Sequence, residues 1–62
     1  MTSKYQIETT LEAPNKYLAK VFKVTTDGDM RETYEVFEVI GIALDENEED
    51  AIYNAVQEAF FS

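Results

Sequence analysis

The sequence predicts an α+β domain, a three-stranded antiparallel β-meander with one C-terminal α-helix packed on one sheet face, in the order βββα. Three observations carry this. Apolar and polar residues alternate at period two from Tyr5 onward, two turn signals cut that stretch into three segments, and from Asp45 the apolar period becomes helical.

The first strand is expected at residues 5 to 12, where Tyr5, Ile7, Thr9 and Leu11 alternate with Gln6, Glu8, Thr10 and Glu12. Ala13-Pro14-Asn15-Lys16 then reverses the chain, because proline presets the second position of a turn and asparagine tolerates the third. A second strand follows at 17 to 25. The next turn signal is Thr26-Asp27-Gly28-Asp29, which contains the only Asp-Gly of the chain, and a third strand is expected at 30 to 42.

Two registers are open for this second hairpin. A two-residue Asp27-Gly28 loop sets Lys23 opposite Glu32 and Lys20 opposite Glu35, each pair contributing up to about 1 kcal/mol. A three-residue Thr26-Asp27-Gly28 loop sets Lys23 against Arg31 but gathers Leu18, Phe22, Val24, Met30, Tyr34, Val36, Ile40 and Ile42 on one side. The second is preferred, since uniting eight apolar side chains outweighs two exposed ion pairs. It leaves Tyr17, Ala19, Val21, Phe37 and Val39 on the opposite face, an apolar patch that calls for a cover.

The helix is expected at 46 to 60. Asp45 serves as its N-cap with Glu48 three residues on, and Ala51, Ile52, Ala55, Val56, Ala59 and Phe60 recur at helical spacing. Phe61 falls opposite Ile52 on the wheel and should stay exposed. The expected core is Phe22, Tyr34, Val36, Ile40, Ile52, Val56 and Phe60.

At 62 residues the chain is read as one domain over 1–62, with a small core and no room for a deep cleft. It contains no Cys, His or Trp. The first two absences remove disulfides, thiolate zinc sites and the commonest general base. A hydrophobic content of 45% nevertheless marks a folding chain. No stretch reaches the length of a membrane span, the segment from Met1 to Glu8 lacks the apolar run of a signal peptide, and a cytoplasmic location is expected.

Charge is the feature that departs from the ordinary. The formal net charge is -8, and every Lys and Arg lies at or before Arg31. Beyond it the sequence holds Glu32, Glu35, Glu38, Asp45, Glu46, Glu48, Glu49, Asp50 and Glu58 but no Lys or Arg. Helix starts favour acids through the macrodipole, which accounts for Asp45 to Asp50. It does not account for Glu32, Glu35 and Glu38, so an electrostatic role is expected. Five carboxylates in the six residues from Asp45 to Asp50, on a helix rising about 1.5 Å per residue, give about 1.8 Å per charge, close to the phosphate density of duplex nucleic acid. Direct nucleic-acid binding is disfavoured, since carboxylates repel phosphate and no basic stripe is present.

Other chemistries fare worse. Asp45, Asn47 and Glu49 fall at the first three ligand positions of a calcium loop, but Asp50 stands where glycine is needed and Val56 where glutamate is needed. No metal or other cofactor is expected. No carboxylate converges with a nucleophile, the two glycines make no phosphate loop, and the tyrosines Tyr5, Tyr17, Tyr34 and Tyr53 are read as packing residues, so an enzyme is not expected.

In size, acidity and missing catalytic residue types the chain is similar to small phage-encoded proteins that bind and inhibit host nucleic-acid machinery. That resemblance is of composition and transfers no residue. The leading expectation is a binding module that docks Glu46, Glu48, Glu49 and Asp50 on a basic surface of a larger protein, in its sharpest form a nucleic-acid-binding site. The alternative is a small structural or assembly homodimer, its charge serving solubility, formed through Tyr17, Val21, Phe37 and Val39, a face that would otherwise receive a foreign partner.

Overall fold

A computed structural model describes residues 2–61. Met1, where the segment read for a signal peptide begins, lies outside them. The element order is β1 (Thr2–Ala13), β2 (Lys16–Gly28), β3 (Thr33–Asp45) and α1 (Glu48–Phe61). The strands form one antiparallel sheet in the order β1-β2-β3, with the helix packed on it, the βββα arrangement that the periodicities predict. All three strands run past their expected N-terminal or C-terminal limits, and the molecule measures 45 × 24 × 12 Å.

The first hairpin follows the turn chemistry. Ala13 pairs with Lys16, leaving Pro14 and Asn15 as the loop, and Asn15 adopts a φ of 64°, which asparagine accepts more readily than other non-glycine residues.

The second hairpin differs from both expected registers. Gly28 pairs with Thr33, so the loop is the four residues Asp29 to Glu32, and Asp27-Gly28 end β2 instead of forming the turn. The reason lies in Asp29. Its Oδ1 accepts hydrogen bonds from the backbone N–H of Arg31 at 2.8 Å and of Glu32 at 3.1 Å, while its own N–H donates to the Glu32 carbonyl at 2.9 Å. Those donors hold the Asp29 carboxyl below its ordinary pKa. Lys23 consequently faces Glu38, and neither Glu32 nor Arg31.

A bulge in β3 then reverses which side chains face the helix. Phe22 pairs with Val39 but Val21 pairs with Gly41, so Ile40 is the extra residue and the alternation of β3 shifts by one. Tyr17, Ala19 and Val21 of β2, with Ile40 and Ala43 of β3, lie under the helix, and Ala51, Ile52, Ala55, Val56 and Ala59 come down upon them. The helical stripe is the expected one, but it packs on the sheet face that was expected to be bare. Of the expected core, Tyr34 (54% exposed) and Val36 (51%) lie open, and Phe22 is on the far side of the sheet.

Close approach of the helix depends on small residues. Ala19, Ala51 and Ala55 are fully buried, and a Cβ at Gly41 would meet the Ala55 carbonyl oxygen and come within 2.8 Å of the Ala59 Cβ. Phe60 is half exposed, its ring edge-on to Tyr5 with centroids 5.0 Å apart, and Phe61 is exposed as the helical wheel requires. A 14-residue helix extends about 21 Å and a 13-residue strand about 43 Å, so α1 covers only part of one face.

Candidate functional site

The acidic block is built where β3 hands over to α1. Asp45 ends the strand, Glu46 and Asn47 connect, and Glu48 begins the helix. Asn47, not Asp45, is the N-cap: its Oδ1 accepts from the Glu49 N–H at 2.9 Å and its carbonyl from the Ala51 N–H at 2.9 Å. Asp45 instead braces the connection, accepting from the Asn47 N–H at 3.2 Å and from Asn54 Nδ2 at 3.4 Å. Asn47→Ala should therefore cost about 1 kcal/mol, and Asp45→Ala less, since its bonds are longer. Urea midpoints for the two variants test that order.

With Asp45 turned to structural use, Glu46, Glu48, Glu49 and Asp50 remain, all exposed. Among the described residues none of these four is in a salt bridge. Glu48, Glu49 and Asp50 occupy the first helical turn, where the positive end of the macrodipole favours them. They do not form a row. Successive residues turn by about 100°, so the three carboxylates fan across about 200° of the helix circumference. The spacing of one charge per 1.8 Å, which assumed a helix beginning before Glu46, therefore does not apply; the block is a compact acidic knob at one end of the molecule.

The strand acids are elsewhere. Glu32 closes the loop at the opposite end, and Glu38 faces Lys23. Glu35 pairs with Lys4 at 3.8 Å, across the central strand, in an exposed contact of small energetic weight.

The second proposed surface is divided by the β3 bulge. Tyr17 and Val21 lie on the helix side, Val21 only 1% exposed, whereas Phe37 (57%) and Val39 (49%) point to the opposite, uncovered face. Tyr17 and Val21 therefore belong to the helix–sheet core and cannot share a docking surface with Phe37 and Val39. Residues not assigned to that surface join it instead: Leu18 and Phe22 of β2, with Ile42 and Leu44 of β3, continue the ribbon, while Val24 lies on the same face but is fully buried. Phe22 and Phe37 meet edge-on with centroids 6.4 Å apart. The signal that could have found this set is the two apolar series in β3, Phe37/Val39 and Ile42/Leu44, which only a bulge between them can bring to one face.

No pocket opens among the described residues, and none of their carboxylates cluster as a metal-binding group. Among the described residues no helix is long and apolar enough to cross a membrane. The chain matches no protein-family model, and neither a curated protein nor a solved structure matches it.

Proposed function

We propose that this chain is a non-catalytic protein-binding module acting in the cytoplasm, which docks its acidic knob on a basic surface of a larger protein. The observation that supports it most directly is that Glu46, Glu48, Glu49 and Asp50 stand exposed at one end of the fold, with no cation in the sequence beyond Arg31. Unopposed carboxylates repel one another, and that cost is offset when a basic surface meets them. Inhibition of a nucleic-acid enzyme, by occupying its basic groove, is the sharpest form of this reading. It rests on charge and exposure, not on a match to phosphate spacing.

The test separates charge from fold. Replacing Glu46, Glu48, Glu49 and Asp50 by Gln removes four charges and only a modest dipole contribution, so the variant should stay folded. Its binding to a basic protein captured by the unmodified chain should weaken mainly through slower association, with a flatter dependence on salt. Unchanged association and salt dependence would return the four acids to the role of a solvated helix start. Nucleic acid should compete for the captured protein if the groove is its binding site, and simultaneous binding would remove the inhibitory form alone.

A further inference from the structure

We infer that the uncovered sheet face binds a second copy of this chain, giving a two-fold dimer in which two sheets stack face to face with their helices outside. Among the described residues the fully buried ones are Ala19, Val21, Val24, Ala51 and Ala55, none larger than valine, while thirteen large hydrophobic residues are exposed. A chain of this length without disulfide or metal rarely stabilises itself on so little, and oligomerisation is one of the standard remedies. The deficit is intrinsic to the fold. Its cover must be present whenever the chain folds, and another copy is always at hand.

The ribbon of Leu18, Phe22, Phe37, Val39, Ile42 and Leu44 supplies the apolar centre of such an interface. Three strands about 4.8 Å apart and about 43 Å long present a face of about 600 Å² in projection, before side-chain relief is added. A standard interface uses about 800 Å² per partner, so the area is of the right order for a stable dimer. Sheets stack well at about 10 Å through alternating side chains of this kind.

Charge selects the copy over a basic partner at this face. The register places Lys4 and Lys20 on it against Glu8 and Glu35, with Lys16 and Glu12 at its hairpin end, a balance of three cations to three acids in a chain of net charge -8. The remaining acids lie on the helix side or at the ends of the molecule, so two copies meet through surfaces that carry almost no net charge. The mixed signs allow each polar β1 margin to complement the other copy. A basic protein would find no attraction here. The inference is independent of the acidic knob, which stays outside the interface.

Sedimentation of the full chain should give twice the 7.1 kDa chain mass at micromolar concentration and in high salt. Val39→Lys should raise the dissociation constant at least about 100-fold, because it buries an unpaired ammonium at the interface. Val36→Lys is the matched control, since Val36 is equally exposed on the same strand but faces the helix side, and it should leave the mass unchanged. A monomer mass up to millimolar concentration would overturn the inference. So would a dimer indifferent to Val39→Lys, as edge-to-edge pairing of β3 would be, or one weakened equally by Val36→Lys. If Val39→Lys does not fold, thermal unfolding of the unmodified chain decides: the midpoint should rise by about 5 °C for each tenfold increase in concentration, and a constant midpoint refutes the dimer.

Discussion

Gly41→Val should unfold the domain or detach its helix. The position lies directly beneath α1, where even the first carbon of a side chain would collide with the Ala55 carbonyl oxygen and crowd the Ala59 Cβ and N. Two of those three atoms are backbone, which cannot rotate aside as a side-chain tip can. The helix must therefore lift, and in lifting it loses the contacts of Ala51, Ile52, Ala55 and Val56 with Ala19 and Val21. Overpacking of a rigid site costs about 3 kcal/mol or more, comparable with the whole stability of about 3 to 9 kcal/mol available to a domain of this size. Gly41→Ala puts the same first carbon against the same atoms, so it too must displace the helix and should be strongly destabilising, less so than valine only because it lacks two further methyl groups. Circular dichroism and urea unfolding at one fixed protein concentration read both. An unchanged midpoint for Gly41→Val would mean that the helix does not sit on β3 at this point.

Element types, their order and the helical stripe were legible because each follows from a local period. Tyr5 to Leu11 alternate, Pro14-Asn15 turns the chain, and Ala51 to Ala59 repeat at helical spacing whatever they pack against. Pairing was not legible, because register is a relation between segments. Asp27-Gly28 carries the strongest local turn signal, yet the side chain of Asp29 closes a loop two residues further on and moves every β3 partner. The extra residue Ile40 then splits β3 into two halves of opposite parity, a device invisible to any argument that assumes strict alternation. Exposure of Glu46, Glu48, Glu49 and Asp50 was foreseeable, since uncompensated carboxylates stay in water. The composition of the apolar face was not, because it depends on that single bulge.

Val21→Asp should unfold the domain. Read from alternation alone, Val21 belongs to an exposed docking patch with Phe37 and Val39, and a carboxylate there would alter binding while sparing the fold. In the structure Val21 is 1% exposed, at the centre of the helix–sheet core beside Ala19, Ala51 and Ala55. The nearest cation of β2 on the same sheet face is Lys23, two positions along the strand and opposite Glu38, while the adjacent Lys20 points to the other face. An aspartate at position 21 would thus be buried without a dedicated partner, at a cost of several kcal/mol, which equals or exceeds the stability of the domain. The variant should lack a cooperative thermal transition at neutral pH. Part of the fold should return as the pH falls, because a neutral carboxyl is less costly to bury than an ionised one. Val36→Asp, a change of identical chemistry at a half-exposed position beyond the cover of the helix, should shift the midpoint by no more than a few degrees. A folded Val21→Asp with an ordinary transition would show that the helix packs on the opposite face, restoring Val21 to the surface and with it the docking patch that alternation alone predicts.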